Sequence, residues 1–541
     1  MTHPSNRNIL FGFTLFLVAL SFSSCLGGGP KINSIDPRIG NMGEVLTIQG
    51  SGFGDARKDG YDSIAGITPT ASSYIEWKDN QIAVRIPDFG DSGLVYVHNH
   101  GRKSNPALFT NRASMPQPIS GSTGGDGPRV DSIDPSSGRI GSLVTITGRN
   151  FGASRENSTV QFAWNVDPGP AVVASPTSVE VFETEFGYEQ WSDRELKVRI
   201  PDGAISGNLE VHTSRGNSVP VFFDVTDRPG TKVYRDKKSY SISYSVDIQV
   251  QKSTGSNTLY LWLPLPVTSA TQRKAQLLSR SMTPFVEDHR GVSLFELKDL
   301  TEGLKTGVSL SYLVDVYTVE TNVKPQLIKP DPTSAVQAAY TVPTSLIPSD
   351  NDEIVALASR IGGKEKNSYL KARMIYDWLV SQGGIQENPT RGSLLDALHE
   401  KKADPYQGAL LFCALARALG IPAIPVSGFL IDKNRTAYKH FWAEFWIDGF
   451  GWVPVDPSLG SGKGPGTFTI RDDPYNYYFG NLDNQRVTFS RGQAVLSQMN
   501  PKGRVAIRNR EYSLQTIWEE AVGGLEAYSS LWSDVQVTGI Y

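Results

Sequence analysis

One phrase is written twice in this chain, and that fact limits the possible folds more than any other. The stretch INSIDPRIGNMGEVLTIQGSGFG, beginning after Lys31, recurs as VDSIDPSSGRIGSLVTITGRNFG. Pro37, Gly50, Phe53 and Gly54 answer to Pro135, Gly148, Phe151 and Gly152 at an offset of 98 residues. A second pair of blocks, WKDNQIAVRIPD and WSDRELKVRIPD, sets Trp77 against Trp191 at an offset of 114, so the second copy holds 16 extra residues in between, as a loop insertion would. The blocks SGLVYVH at Ser92 and SGNLEVH at Ser206 keep that offset and close the repeat, which places His98 and His212 in one register. Within a copy, Val45 and Thr47 alternate with Leu46 and Ile48 as in a half-buried strand. The Gly-Phe-Gly ending gives a turn with positive φ around an aromatic anchor. Each copy therefore reads as a small antiparallel β-sandwich.

With 541 residues the chain has room for three or four such units. Its 52 Lys and Arg against 55 Asp and Glu, a net charge of -3, give no footprint for nucleic acid. The first residues, MTHPSNRNILFGFTLFLVALSFSSCLGGGP, carry Arg7 in a short polar lead, an apolar run from Ile9 to about Leu20, and small residues before Cys25. That run is shorter than the roughly 20 residues a membrane helix needs, and a glycine tether follows it. The expectation is a signal peptide over 1–24 and a tether over 25–30. A lipobox-like ending makes Cys25 the acylated first residue of an exported lipoprotein, and thioether formation calls for a thiol. Lipidation of Cys25 would leave Cys413 without a disulfide partner.

Beyond the repeats, YSISYSVDIQV puts Tyr240, Ile242, Tyr244, Val246, Ile248 and Val250 on one face. Together with TLYLWLPLP and VSLSYLVDVYTVET this reads as a third β-sandwich over 231–325. Helical periodicity begins at DEIVALASRI, with Asp350 or Asp352 as its cap, and continues in SYLKARMIYDWLVSQ. In KKADPYQGALLFCALARALGIPA, Asp404 suits an N-cap and Pro405 a first helical position, where the missing N–H costs nothing. The apolar run from Ala409 to Leu419 makes that helix a buried one, stopped by Gly420 and Pro422. YKHFWAEFWIDGFGWVPVDPSLG then reads as a hairpin turning at Asp448-Gly449 and bearing His440 and Asp456.

The repeated "P..G..G..vtI.G.nFG" pattern resembles the IPT/TIG family of immunoglobulin-like domains, over 31–111 and 128–226, with a Pro/Ser/Gly-rich linker over 112–127. Residues 340–460 resemble the transglutaminase-like superfamily, whose papain-type arrangement is Cys-His-Asp. The resemblance implies that Ala409 to Ala423 lies in the nucleophile helix, that His440 is the catalytic-type histidine and that Asp456 orients it. The sandwich at 231–325 resembles the β domain that precedes such cores, and 461–541 their C-terminal extension. The expected architecture is multidomain: two Ig-like β-sandwiches, a third β-sandwich and an α+β papain-like transglutaminase core.

The resemblance breaks at one position. Ala403-Asp404-Pro405 stands where the family has Gly-Asp-Cys, so Pro405 occupies the nucleophile position. Cys413 lies eight residues further along the helix, about 12 Å of rise and 80° of rotation away, whereas a nucleophile and its base must meet within about 3 Å. Amid Leu, Phe and Ala, Cys413 reads as core. His440 and Asp456 also have bland readings, a structural histidine and a turn residue before Pro457. No spacing typical of zinc ligands or phosphate-cradling loops occurs, and no cofactor is implied.

Three functions follow as expectations. The first is a lipid-anchored exported protein, at the outer membrane, cell surface or periplasmic face. Its inactive transglutaminase-like domain, with vestigial positions Pro405, His440 and Asp456, binds or scaffolds a peptide, peptidoglycan or envelope-protein ligand. The second is a cysteine-type peptidase or transamidase using the displaced Cys413. The third is a purely structural role in the envelope.

Overall fold

The computed structural model describes residues 29–40, 43–87, 93–111, 127–167, 177–331, 334–387, 390 and 392–541. The signal peptide, Cys25 and nearly all of the 112–127 linker lie outside them. The chain divides into two compact units, residues 1–123 and 124–541. Among the described residues no helix is long and apolar enough to cross a membrane.

In the first unit one sheet runs Lys31–Asp36, Val45–Ser51, Gln81–Arg85, Tyr74–Lys78, and its partner Ile39–Gly40, Ala107–Asn111, Gly93–Asn99, Tyr61–Ile64. Leu46, Ile48, Ile82, Val84, Val95, Val97 and Phe109 meet between the sheets. The repeated motif explains itself here. A side chain at Gly50 would sit 2.3 Å from the Phe53 ring, the Trp77 indole N–H donates to the Phe53 carbonyl at 2.9 Å, and the Asp79 carboxylate accepts from Gly54 N at 2.9 Å. Gly148, Phe151, Trp191 and Asp193 repeat this arrangement in the second copy.

At one core position the two copies differ in kind, polar against apolar. Asp62, 0% exposed, occupies the place of Val160, and the Tyr74 hydroxyl accepts from Asp62 N at 3.1 Å as the Tyr188 hydroxyl does from Val160 N. Neither carboxylate oxygen of Asp62 has a hydrogen-bond partner. Burial pushes this carboxyl up to about 6, against the pull of Tyr74 and Arg57. A folded pKa above the ordinary 3.8 means that its share of stability is complete in acid and is lost as pH rises through about 6. Asp62→Val is therefore expected to stabilise the first unit by about 2–3 kcal/mol at pH 7, and by much less at pH 4. The first thermal transition of the full chain, followed at both pH values, checks this.

The second copy repeats the sandwich, and its extra residues, between Val160 and Tyr188, supply a strand that the first copy lacks, Ser178–Glu180, on the edge of Thr159–Trp164. This insertion packs inward. Val179, Val181 and Phe182 join a core that also holds Tyr317, Val319, Trp442, Trp446 and Trp452. The Tyr340 hydroxyl donates to Thr184 O at 2.8 Å, and Arg139 pairs with Asp331 at 2.7 Å. The second Ig-like module is thus part of the larger unit's body.

The third sandwich is built on the long strand Gly230–Pro264, paired antiparallel along Lys305–Val323. Its sheet is completed from the far end of the chain. Glu519–Trp532 pairs with residues 246–261, and Gln536–Ile540 with residues 240–243. Tyr240, Ile242, Tyr244, Val246, Ile248 and Val250 all face its core, as their alternation predicts.

A four-stranded antiparallel sheet follows, in the order Gly451–Val455, Ala437–Ile447, Ala423–Ile431, Arg486–Arg491. Of the seven α-helices among the described residues, Pro405–Ala418 is the most deeply buried. The cap of Asp352–Gly362 is Asn351, whose side chain accepts from Glu353 N and Ile354 N; Asp352 is the first helical residue and Asp350 precedes the cap. A short helix, Ala335–Tyr340, starts earlier than the periodicity suggests, because six residues are too few to show it.

Candidate functional site

The hairpin Ala437–Ile447/Gly451–Val455 brings His440 and Asp456 together, with Nε2 and Oδ2 2.8 Å apart. Asp456 also caps the short helix Pro457–Gly460 by accepting from Leu459 N at 3.0 Å. His440 is 1% exposed and Asp456 0%.

Two residues that sequence reasoning missed complete the arrangement. Arg486 donates to Asp456 Oδ2 at 3.2 Å and to Asp483 Oδ2 at 2.7 Å, and its guanidinium lies 4.9 Å from the centre of the Trp442 ring. Burial alone would raise both carboxyls. For Asp456, the His440 charge and hydrogen bond, then Arg486 and the Leu459 N–H, outweigh it; for Asp483, Arg486 and the Gln485 N–H do so. Both carboxyls end below their ordinary 3.8. Burial likewise opposes the Arg486 charge, and its two carboxylate partners overcome that and hold it charged.

Pro405 sits at the first position of its helix, as its chemistry predicts. Asp404 is the N-cap, its Oδ1 accepting from Gln407 N at 2.9 Å, while the Gln407 side chain reaches back to Asp404 N at 3.4 Å in a capping box. The other Asp404 oxygen accepts from Thr390 N at 2.9 Å and pairs with Arg510. The Arg510 guanidinium lies 4.9 Å from the Tyr406 ring centre and donates to Gly392 O at 3.4 Å, and Tyr406 meets Phe441 edge-on at 5.1 Å. Leu514 packs with Phe441 and Ala409. The C-terminal segment thereby covers the first helical turn.

Cys413 is 0% exposed, among Leu410, Leu411, Phe412 and Ala414. Burial pushes its thiol up to about 12, although Arg417 pulls the other way. The structure brings His440 and Asp456 together, sets the first turn of the helix against Phe441, and leaves Cys413 in the apolar core. The arrangement can hold a histidine and an aspartate in fixed orientation; a covalent acyl transfer needs a sulfur or oxygen nucleophile that Pro405 does not have. Among the described residues no group of His, Cys, Asp and Glu side chains could hold a metal ion.

The sequence profile of the Transglutaminase-like superfamily matches residues 355–457, and that of the IPT/TIG domain matches 30–110 and 128–225. An uncharacterized protein of Haemophilus influenzae is 25% identical over 257 residues, 41% of this chain and 69% of that one. A cyclomaltodextrin glucanotransferase of Bacillus licheniformis is 38% identical over 77 residues, 14% of this chain and only 10% of that enzyme. Of solved structures, one described as a proposed cysteine protease from Cytophaga hutchinsonii is similar with a TM-score of 0.39 and 18% identity, covering 57% of this chain and 92% of that one.

Proposed function

We propose, for a chain that carries two IPT/TIG domains and a transglutaminase-like superfamily domain, that it is an exported, lipid-anchored protein of the cell envelope whose transglutaminase-like domain binds or scaffolds without catalysing. The observation that carries this reading is the first helical turn. Pro405 stands where the superfamily has its cysteine, and the flanking Asp404 carboxylate is engaged by Gln407 N, Thr390 N and Arg510. The His440–Asp456 pair then serves cohesion, and contact with a peptide or envelope ligand falls to the surface around Tyr406 and Arg510. Export and anchoring rest on the N-terminal sequence: an apolar run too short to span a membrane, ending in small residues at Cys25. The net charge of -3 disfavours nucleic acid as a partner.

The competing reading, a cysteine-type peptidase or transamidase using Cys413, requires a thiolate. At a pKa of about 12 the thiolate fraction at pH 7 is about one in a hundred thousand. A fragment beginning after Cys25 contains Cys413 as its single thiol. It is expected to resist alkylation while folded and to react fully once unfolded. Rapid labelling of the folded fragment, abolished by His440→Ala, would overturn the non-catalytic reading.

A further inference from the structure

The second Ig-like module meets the transglutaminase-like core across a buried seam that holds five charged side chains. Glu185, from the insertion that distinguishes the second copy, accepts from Asp202 N at 3.1 Å and stands 3.7 Å from Arg491. Arg491 donates through Nε and Nη2 to Glu444 Oε2, at 2.9 and 2.7 Å. Asp202 pairs with Lys232 at 2.5 Å, and Lys232 also donates to Trp452 O at 2.6 Å. The side chains of Lys232, Asp202, Glu444, Arg491 and Glu185 are only 4–6% exposed. Tyr234 and Tyr340 complete the surroundings of Glu185, and both keep their protons because burial raises them.

Three carboxylates thus face two cations, all of them nearly withdrawn from solvent. A buried net charge costs several kcal/mol, and the usual escape is protonation. The engaged carboxylates are Glu444, on Arg491, and Asp202, on Lys232. Glu185 is the loose one, for its Oε1 has no hydrogen-bond partner. We infer that the seam between the second Ig-like module and the core is a proton-linked joint, closed with one proton on Glu185 and loosened when that proton leaves.

Burial, and after it the charge of Asp202, push the Glu185 carboxyl up to about 7, while Arg491 and Lys232 pull it down. The folded value lies above the ordinary 4.5, so the stabilisation is complete below that pH and is lost as pH rises through about 7. The first copy has nothing equivalent, because the extra residues between Val160 and Tyr188 supply Glu185.

Hydrogen exchange of the full chain, corrected for the intrinsic pH dependence of exchange, tests the joint. Between pH 5.5 and 8.5 the opening constant of seam amides such as Asp202 N is expected to rise about thirtyfold, at about tenfold per pH unit below 7. Glu185→Gln, which keeps the shape and removes the charge, is expected to remove that slope and to hold the seam closed at pH 8.5. A wild-type slope retained in Glu185→Gln would overturn the inference. If Glu185→Gln does not fold, seam amides in the unmodified chain whose opening is independent of pH would overturn it equally.

Discussion

Asp456→Ala is expected to lower the unfolding free energy of the larger unit by about 3–5 kcal/mol, a loss usually associated with a core cavity. The reason is the company Asp456 keeps. Arg486 is 1% exposed and divides its guanidinium between Asp456 and Asp483. Removing one acceptor leaves a buried cation half-compensated, and His440 and Leu459 N lose their partner as well. Asp456→Asn keeps the shape and should cost less. Chemical denaturation at neutral pH measures the difference, and a cost for Asp456→Ala within 1 kcal/mol of zero would sink this account of the network. The pH dependence has a definite sign. Both carboxyls are depressed in the fold, so their contribution is present above about pH 4 and is lost as pH falls through their lowered values. Asp456→Ala should therefore lose less stability on acidification than the unmodified chain does.

Arg491→Met is the second large effect. Its guanidinium is the counter-charge of Glu444 and stands 3.7 Å from Glu185, and methionine fills the space while leaving the buried Glu444 carboxylate without its partner. The expected loss is again about 3–5 kcal/mol, because one partner of a buried pair is removed rather than both. It should concentrate at the seam, where Arg491 belongs to the strand Arg486–Arg491 and Glu185 to the Ig-like insertion. Limited proteolysis would show it as cleavage near 227–230, between the second module and the third sandwich, at protease concentrations that leave the unmodified chain whole. Arg491→Met combined with Glu444→Leu and Glu185→Leu should recover much of the loss, since an apolar replacement of a whole buried network is often neutral.

How much of this was readable beforehand depended on the distance over which each signal acts. The Ig-like copies announced themselves because each motif residue serves a neighbour in the same module: Gly50 makes room for Phe53, and Trp77 and Asp79 fasten the turn. The burial of Cys413 and the roles of Asp404 and Pro405 were equally local, being properties of one helix and its cap. The His440–Asp456 pairing was expected from the resemblance to the transglutaminase-like superfamily, and the hairpin that Asp448-Gly449 marks carries both residues. Arg486 and Asp483 were not found. In a strand reading RVTFSR the charges look like a solvent face, and only the layers on both sides make every position but the last buried. The insertion gave the same kind of miss. Sixteen additional residues suggested a loop, and nothing local to Glu185 shows that its counter-charge lies some three hundred positions away at Arg491. The third sandwich was visible by its alternation, but its completing strands were not, because a register between residues 240–261 and 519–540 leaves no trace in either segment alone.

That last pairing has a consequence for the order of events in a chain made from its N-terminus. Tyr240 emerges early and must wait for Ile540, its cross-strand partner, through almost the whole of the remaining synthesis. The first Ig-like module can close on the way, since its strands all lie between Lys31 and Asn111. The sandwich cannot, and until Glu519–Trp532 arrives the strand Gly230–Pro264 has one unsatisfied edge. Such a chain stays partly unfolded until its last strands are made, a state exposed to chance pairing with other open edges. Stop codons late in the reading frame should then produce insoluble protein instead of a shorter working one.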